Sequence, residues 1–405
     1  MTGCGTGPVG SPSDAGAVAG AGEVKDSSTA GDQSASSAAA PVDGSPAPCP
    51  CSVTATLDSL SFDTSVVVCR SKTTIAAPHW KNGEDVSDGA GSKKATVYLI
   101  AGKGVDQCTA QVNITSVVNC GGTAKLTGTI GDLTIEGQCP VAPGTHTVNC
   151  QIKKKPDAIK QYQGDISWKL EVPTCQTYSL SSTRVELYFV LDTPIAPYQS
   201  DKGVWVEVLR FLCSKVGVPG KSDKKEVVSA VTSYCHSSHS LHYDTLQGAP
   251  HYGVSNDGGT FDLERYLAVG STRCNCYDQA AAVQSFSGAV GVGLTWLYLR
   301  PFGYLKLTNL IGVGNCNNPF YESNGSAAVV AANDPDRTAF GNHSFCEYTT
   351  LAADACAGPH LATEALQQYI DASIEKTTDT TLYARGFRPG TTADLSPKSG
   401  VTSVQ

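Results

Sequence analysis

The stretch RCNCYDQAAAV places Cys274 and Cys276 one residue apart, where loop-like sequence gives way to an alanine-rich helical pattern. A thiol at a helix start can serve as a nucleophile, because the helix dipole there stabilises the thiolate. Nucleophilic catalysis also needs a base that takes the thiol proton and a third group that orients the base. Downstream, GNHSFCEY contains His343 and LAADACAG contains Asp354. The sequence therefore contains a thiol, an imidazole and a carboxylate for such chemistry.

Three elements must position these groups. The pattern CYDQAAAVQSFSGAV predicts a helix that begins at Cys276, and the segments around His343 and Asp354 are strand-like. If the two strands form a hairpin with its turn near TTLA, His343 and Asp354 lie roughly opposite each other. An imidazole-to-carboxylate hydrogen bond would then be within reach.

The cysteine count supports a competing interpretation of Cys276 as half of a structural disulfide. Sixteen cysteines, mostly scattered singly, are typical of a disulfide framework in an oxidising compartment. Cys274 lies before the helix, so we predict it to be a disulfide half. Asp278 is predicted to cap the first turn of the helix. An odd number of cysteines follows residue 178, so at least one thiol there is free or paired outside that region.

A histidine-rich stretch, CHSSHSLH, offers an alternative site. Its metal-ligand types are Cys235, His236, His239 and His242, with His251 close in sequence, and together they would suit a zinc-dependent hydrolase. No second cluster has matching spacing, so we predict no metal and no cofactor. Tyr243, His251 and Tyr252 precede the nucleophile and are predicted either to line a substrate groove or to pack a loop.

Composition limits the classes of partner. The net charge is −8, with no Lys/Arg stripe beyond KKKPDAIK, so neither nucleic acid nor an anionic membrane is an expected partner. The longest apolar run, GAVGVGLTWLYL, is too short to cross a bilayer, and we predict no transmembrane segment.

The chain divides by composition into four parts. Residues 1–52 consist almost wholly of small and polar residues, which predicts a disordered linker. Short β-branched runs over 53–178 predict an all-β, immunoglobulin-like sandwich. Residues 179–390 mix helices with strands, the order of an α+β domain, and 391–405 read as a disordered tail. We expect the predicted sandwich to be stapled by disulfides that involve some of the following cysteines: Cys69, Cys108, Cys120, Cys139, Cys150 and Cys175.

Three motifs resemble the transglutaminase-like superfamily. CYDQA is similar to its C-x-D-x-A element, NHSF to the start of its histidine strand and ADACAGPH to its aspartate strand, across residues 180–365. The resemblance implies a papain-like α+β fold in which Cys276 is the nucleophile, His343 the general base and acid, and Asp354 the orienting group. It also implies attack on an amide carbonyl through a thioester. Two positions depart from many relatives, with Cys274 in place of glycine and Phe345 in place of tryptophan.

These observations lead to a functional expectation. We expect an exported bacterial thiol enzyme, multidomain, that acts on amide bonds of protein or peptide substrates as a protease, deamidase or transamidase. It would be secreted or extracytoplasmic, as an effector or a lipoprotein. In the lipoprotein case Cys4, in the opening MTGC, would be the lipidated residue. The alternative is an inactive secreted or surface adhesion protein.

Overall fold

The structure is a computed structural model that describes residues 51–70, 72–84, 86, 94–173, 175–198, 203–300, 304–373 and 395–405. Among these residues strand exceeds helix, 42% against 18%, so the described part of the chain is mostly β. The first twelve described strands are β1 Ser52–Asp63, β2 Val68–Arg70, β3 Thr73–Thr74, β4 Trp80–Lys81, β5 Ala95–Leu99, β6 Gln107–Val118, β7 Thr123–Ile130, β8 Leu133–Pro140, β9 Gly144–Ile152, β10 Lys160–Glu171, β11 Thr177–Ser179 and β12 Thr183–Val190.

The later strands are short and lie between helices. They are β13 Val204–Trp205, β14 His242–Tyr243, β15 Gly258–Phe261, β16 Arg273–Cys274, β17 Thr295–Leu299, β18 Thr308–Leu310, β19 Gly314–Cys316, β20 His343–Tyr348, β21 Leu351–Asp354, β22 His360–Ala365, β23 Leu395–Lys398 and β24 Gly400–Val404. The helices are α1 Val206–Phe211, continued by a π-helical turn Leu212–Val216, then α2 Lys224–Ser237, α3 Leu263–Leu267, α4 Cys276–Ala289, α5 Tyr321–Asn324 and α6 Leu366–Ser373.

A large curled sheet dominates the first half of the described chain. Its order is β4-β1-β6-β9-β8-β7-β10-β12-β5, and β11 pairs with β10. Alternate residues of β6 and β7 are buried, as expected for strands with one face on a core. The prediction of a β-rich region from short alternating runs is therefore confirmed at this coarse level.

The large sheet continues past residue 178, where the sequence predicts a domain boundary. Strand β12 pairs antiparallel with β10 and parallel with β5. Strand β13 in turn pairs parallel with β2. The hydrogen-bonded ladders thus cross the predicted boundary, and Cys49–Gln405 form one compact unit.

A five-stranded antiparallel sheet, β22-β21-β20-β17-β23, lies in the second half. Helix α4 packs against β20, and α2 packs against both α4 and β22. Twelve of the fourteen residues of α4 are buried, which explains its run of alanines: small side chains allow close packing on all sides. The helix-plus-sheet arrangement places the start of α4 beside the start of β20.

The chain end differs from the predicted disordered tail. Residues 395–404 form β23 on the edge of the five-stranded sheet and β24 beside β15. That part of the tail prediction is wrong, because Val401 is buried and its backbone N–H donates to Gln284 Oε1 of α4 at 2.8 Å. Residues 391–394 lie outside the described chain.

The segment GSAAVVAAN contains no strand, and its backbone is instead held by the Asn317 side chain, which bonds both the N–H and the carbonyl of Val330. Residues 360–365 form β22, and α6 follows directly from Leu366.

One disulfide, Cys51–Cys175, is present among the described residues. Cys175 is one of the expected staples of the sandwich, and its partner Cys51 falls within the last residues of the predicted linker. Of the remaining expected staples, Cys69, Cys108, Cys120, Cys139 and Cys150 are free thiols. No helix among the described residues is long and apolar enough to cross a membrane. Cys4 and residues 1–50 lie outside the described chain.

Candidate functional site

Cys276 is the first residue of α4, as the sequence predicts. Asn275 is the N-cap: its side-chain oxygen accepts from the backbone N–H of Tyr277 at 2.9 Å and of Asp278 at 3.2 Å. Asp278 returns the interaction, since its Oδ2 accepts from the Asn275 N–H at 3.1 Å. This reciprocal capping box fixes the first turn of the helix. The predicted capping role of Asp278 is confirmed.

Asp278 also anchors the loop at residues 251–252, which precedes α4 in the chain. Its carboxylate accepts from the backbone N–H of His251 at 2.8 Å and of Tyr252 at 3.0 Å. Burial raises the pKa of Asp278 to about 6, although these backbone donors act in the opposite direction. One buried side chain therefore holds the helix start and the loop in a single arrangement.

His343 and Asp354 meet as the hairpin prediction requires. Strands β20 and β21 pair with Tyr348 opposite Leu351, so Thr349 and Thr350 form the turn. His343 Nε2 lies 2.8 Å from Asp354 Oδ2, and both residues are buried. The predicted hairpin and its imidazole-to-carboxylate contact are confirmed.

The buried pair favours its charged form. Burial lowers the pKa of His343, but the neighbouring Asp354 carboxylate more than offsets this, and the pKa rises to about 10. Burial raises the pKa of Asp354, but His343 and the backbone donors outweigh it, and the pKa falls to about 2. An imidazolium beside a carboxylate is thus the stable state of the pair at neutral pH.

The third group is in contact with this pair. The Cys276 side chain lies close enough to His343 to add to the rise in its pKa. Because Nε2 faces Asp354, the ring nitrogen left for the thiol is Nδ1. The Tyr277 hydroxyl donates to Asn342 Oδ1 at 2.5 Å, which ties the start of α4 to the residue before His343. The structure brings together all three residues singled out in the sequence.

Asp354 has supports that sequence reasoning missed. The Tyr369 hydroxyl of α6 donates to Asp354 Oδ2 at 2.8 Å. The backbone N–H of Cys356 donates to Oδ1 at 2.7 Å, and that of Ala357 lies 3.3 Å from the same atom. Tyr369 is fully buried, so its hydroxyl is held in place. No local pattern could have identified it, because the contact joins a helix and a strand through tertiary packing.

Cys274 does not form the predicted disulfide. It is a fully buried free thiol whose Sγ lies 3.5 Å from the His242 carbonyl oxygen. Burial, and next the charge of Asp278, raise its pKa well above the usual range, so it stays protonated. Its position in β16, paired with β14, explains its burial. Cys276 is therefore the thiol of this pair that lies beside an imidazole.

The histidine-rich stretch does not converge on a metal site. His236 Nδ1 faces the Ala355 carbonyl at 3.2 Å, and His239 Nε2 faces the Tyr266 carbonyl at 2.7 Å. Burial lowers the pKa of both imidazoles, which favours neutral rings that bond these carbonyls. Within the described chain, the set of three metal-ligating side chains that does converge is Cys51, Cys120 and Cys175.

Of the three residues proposed to line a groove, two are core residues. Tyr252 is fully buried and its hydroxyl donates to the Ser271 carbonyl at 2.5 Å. Tyr243 is buried against Phe320 and Phe340. His251 is half-buried, with Nε2 at 3.1 Å from Asp244 Oδ2. The loop-packing interpretation therefore holds for both tyrosines.

Access to the site is narrow, since Cys276 is only 4% exposed. A surface cleft of about 520 Å³ is lined by Phe320 and Ala339 among others. The Phe340 ring contacts both Phe320 and His343, with ring centroids 5.5 Å and 6.3 Å away. The other lining side chains include Leu246, Gln247, Tyr304, Asn324 and Arg337.

A scan against models of known protein families finds no match to this chain. A search of curated proteins likewise finds no relative.

Proposed function

We propose that the chain is a thiol enzyme of the transglutaminase-like class that acts on amide bonds of protein or peptide substrates through a thioester at Cys276. The observation that carries the proposal is the contact of the Cys276 thiol with His343, which is itself 2.8 Å from the buried Asp354 carboxylate. Thiol, imidazole and carboxylate in series form the arrangement that activates a nucleophile. A helix start, fixed by a capping box, adds stabilisation for a thiolate.

In the proposed reaction, the Cys276 proton rests on His343, whose imidazolium is the stable form beside Asp354, and the Cys276 thiolate attacks the amide carbonyl carbon. The carbon–nitrogen bond then breaks as the His343 imidazolium gives its proton to the departing amine, which leaves an acyl thioester. Water as second substrate gives hydrolysis or deamidation, and an amine gives cross-linking. Asp354 keeps the imidazole oriented and balances its charge throughout.

We assign two donors to the developing oxyanion. One is the backbone N–H of Cys276 at the helix start. The other is the Tyr243 hydroxyl, which has no acceptor among the residues that the structure describes and whose pKa is raised first by burial and next by the charge of Cys276 nearby. Donors of this kind stabilise the tetrahedral intermediate without reorganising.

The finer architecture belongs to the same proposal. We assign the large sheet to an immunoglobulin-like module and the helices with the five-stranded sheet to a papain-like catalytic module. Support comes from helix α4, which carries Cys276 and packs on β20, which carries His343. We also propose an extracytoplasmic protein, since the Cys51–Cys175 disulfide is compatible with an oxidising compartment.

The test is alkylation of the native protein by iodoacetamide near neutral pH, without reductant, followed by peptide mass spectrometry. We expect selective labelling of Cys276, slowed in His343→Ala and Asp354→Asn. Cys274 and Cys356 serve as internal controls, because both are fully buried thiols whose pKa is raised. Labelled protein should also lose activity against a library of glutamine-containing and other peptides.

The opposite result favours the adhesion alternative. If Cys276 resists alkylation in the folded protein, or labels no faster than in His343→Ala, the thiol is not activated. A binding role with an inactive transglutaminase-like module would then replace the enzyme proposal.

A chelator distinguishes the thiol enzyme from a histidine-based metal hydrolase. The activity of the thiol enzyme should not change when chelator is added.

A further inference from the structure

Three sulfur atoms meet beside one end of the β1–β6 ladder, far from the thiol–imidazole pair in sequence. Cys51 precedes β1, Cys120 follows β6 and Cys175 lies between β10 and β11. Their sulfur atoms all lie within 4.8 Å of one another. Cys51 and Cys175 form the disulfide, whereas Cys120 is a free, half-buried thiol. We call this set the three-cysteine cluster.

We propose that the three-cysteine cluster is a thiol–disulfide exchange site, in which Cys120 attacks the Cys51–Cys175 disulfide. Exchange needs a thiolate within reach of a disulfide sulfur and room for a mixed disulfide, and rates depend on access. All three residues are half-buried rather than enclosed in the core, so solvent base can take the Cys120 proton. The proposal is independent of the chemistry at Cys276.

The step balances without an external oxidant. The Cys120 thiolate forms a bond to Cys51 Sγ while the Cys51–Cys175 bond breaks, and the electron pair of that bond goes to Cys175 Sγ. The proton lost by Cys120 is regained by Cys175 through solvent. One disulfide and one thiol are present before and after, so the reaction is an isomerisation.

The surroundings of Cys175 favour it as the leaving thiol. The Tyr178 hydroxyl lies 3.0 Å from Cys175 Sγ and 3.2 Å from the Cys51 carbonyl oxygen. A hydroxyl at this position can turn from the carbonyl to the sulfur and donate to a departing thiolate. Attack on Cys51 rather than on Cys175 is therefore the stabilised direction.

The backbone also allows the product disulfide. Ser52 and Val118 are direct partners in the β1–β6 ladder. Cys51, just before β1, and Cys120, just after β6, therefore lie at the same end of these two neighbouring strands. The Cys120 Sγ already lies 3.6 Å from the Ser52 carbonyl oxygen. Moving the disulfide from Cys175 to Cys120 would release the β10–β11 connection and present the Cys175 thiol to solvent.

The test is disulfide mapping of the full chain. Native protein is incubated at pH 8, quenched with acid, alkylated with N-ethylmaleimide and digested without reduction. We expect both Cys51–Cys175 and Cys51–Cys120 peptides in amounts within about tenfold of each other, because no net redox change separates them. Cys120→Ser should show one disulfide and an unalkylated Cys175, whereas Cys213→Ser, which removes a half-buried thiol outside the cluster, should keep both.

Two further variants keep the proposal falsifiable. Cys175→Ser, treated with oxidised glutathione, should form the Cys51–Cys120 disulfide. Tyr178→Phe should slow isomerisation by about tenfold, since it removes a hydrogen bond to a charged sulfur. The proposal is overturned if wild-type protein holds only Cys51–Cys175 with Cys120 fully alkylated. It also fails if Cys120 pairs with Cys49, or if Cys51 and Cys120 stay reduced in Cys175→Ser.

Discussion

Tyr369 is a buried side chain that supports the Asp354 carboxylate. Its hydroxyl donates to the same oxygen of Asp354 that faces His343. In Tyr369→Phe we expect Cys276 to be alkylated about tenfold more slowly at neutral pH, the effect of losing one hydrogen bond to a charged group. The pH profile of alkylation should shift as well, because the carboxylate then holds the imidazolium less strongly. Iodoacetamide labelling between pH 5 and 10, quantified at Cys276, measures both changes.

The matched control is Tyr348→Phe. Tyr348 is a half-buried tyrosine at the end of β20, the strand that begins with His343. A general loosening of the sheet would slow labelling equally in both variants. Equal rates and unchanged pH profiles in Tyr369→Phe and wild type would show that the Tyr369 hydroxyl does not position Asp354.

The His343–Asp354 pair makes stability depend on pH in a defined window. The folded pKa of His343, about 10, lies above its ordinary value of 6.5, so its contribution is complete below pH 6.5 and is lost as pH rises toward 10. The folded pKa of Asp354, about 2, lies below 3.8, so its contribution is complete above that pH and is lost as pH falls toward 2. We expect the coupling free energy between His343 and Asp354 to be largest between pH 3.8 and pH 6.5.

A double-mutant cycle with His343→Gln and Asp354→Asn, measured by urea unfolding, gives that coupling. His343→Gln should cost about 3 to 5 kcal/mol near pH 6, since it leaves a buried carboxylate without its partner. The coupling should be smaller at pH 9 than at pH 6. His146→Gln is the control, because the His146 ring faces the Ala142 carbonyl rather than a carboxylate. A coupling that is flat from pH 6 to 9 would mean that the pair is uncharged.

At the scale of elements, the β20–β21 hairpin brings His343 to Asp354 through an unfavourable turn. Thr349 and Thr350 have φ of 47° and 78°, a left-handed conformation that β-branched residues rarely adopt. Asn-Gly is the preferred pair in a two-residue turn with both φ positive. We expect Thr349→Asn with Thr350→Gly to raise the free energy of unfolding by about 1 to 2 kcal/mol. Thermal and urea unfolding measure it.

The reverse change in another hairpin is the control. Gly131 occupies a two-residue turn between β7 and β8 with φ of 55°. Gly131→Thr should therefore lower stability, although its added Cβ meets Tyr162 only at an ordinary contact distance of 3.6 Å. If neither turn responds, the left-handed angles cost nothing in this protein.

The β20–β21 hairpin shows which features of the fold could be predicted from the sequence. The helix start at Cys276 and the hairpin between His343 and Asp354 were predictable, because capping residues, apolar spacing and a short turn are local signals. Tyr369 was not, since its helix meets β21 only through packing. Cys274 was wrongly predicted to be half of a disulfide, because burial in a two-residue strand has no local sequence signal. Strands β23 and β24 were missed because their short, polar sequence is ordered by partners distant in the chain.

At the scale of the whole molecule, the chain end binds two separate parts of the fold. Strand β23 completes the sheet that carries His343, and β24 lies along β15, which leads into α3. Gln284 of α4 accepts from the Val401 N–H and donates to the Leu294 carbonyl at 3.1 Å. The segment 395–405 therefore braces the helix whose first residue is Cys276.

Gly258 and Gly259 test this bracing, because both have positive φ, 93° and 113°, but differ in their surroundings. A Cβ on Gly258 would lie 1.9 Å from the Gly400 carbonyl oxygen, whereas one on Gly259 has nothing within 4 Å. Both alanine variants share the backbone penalty. Gly258→Ala should cost about 1 to 3 kcal/mol more, because β24 must move away. Its amides at 400–404 should lose protection in hydrogen exchange, whereas Gly259→Ala should keep it. Equal stability and equal protection in the two variants would mean that β24 does not depend on this close approach.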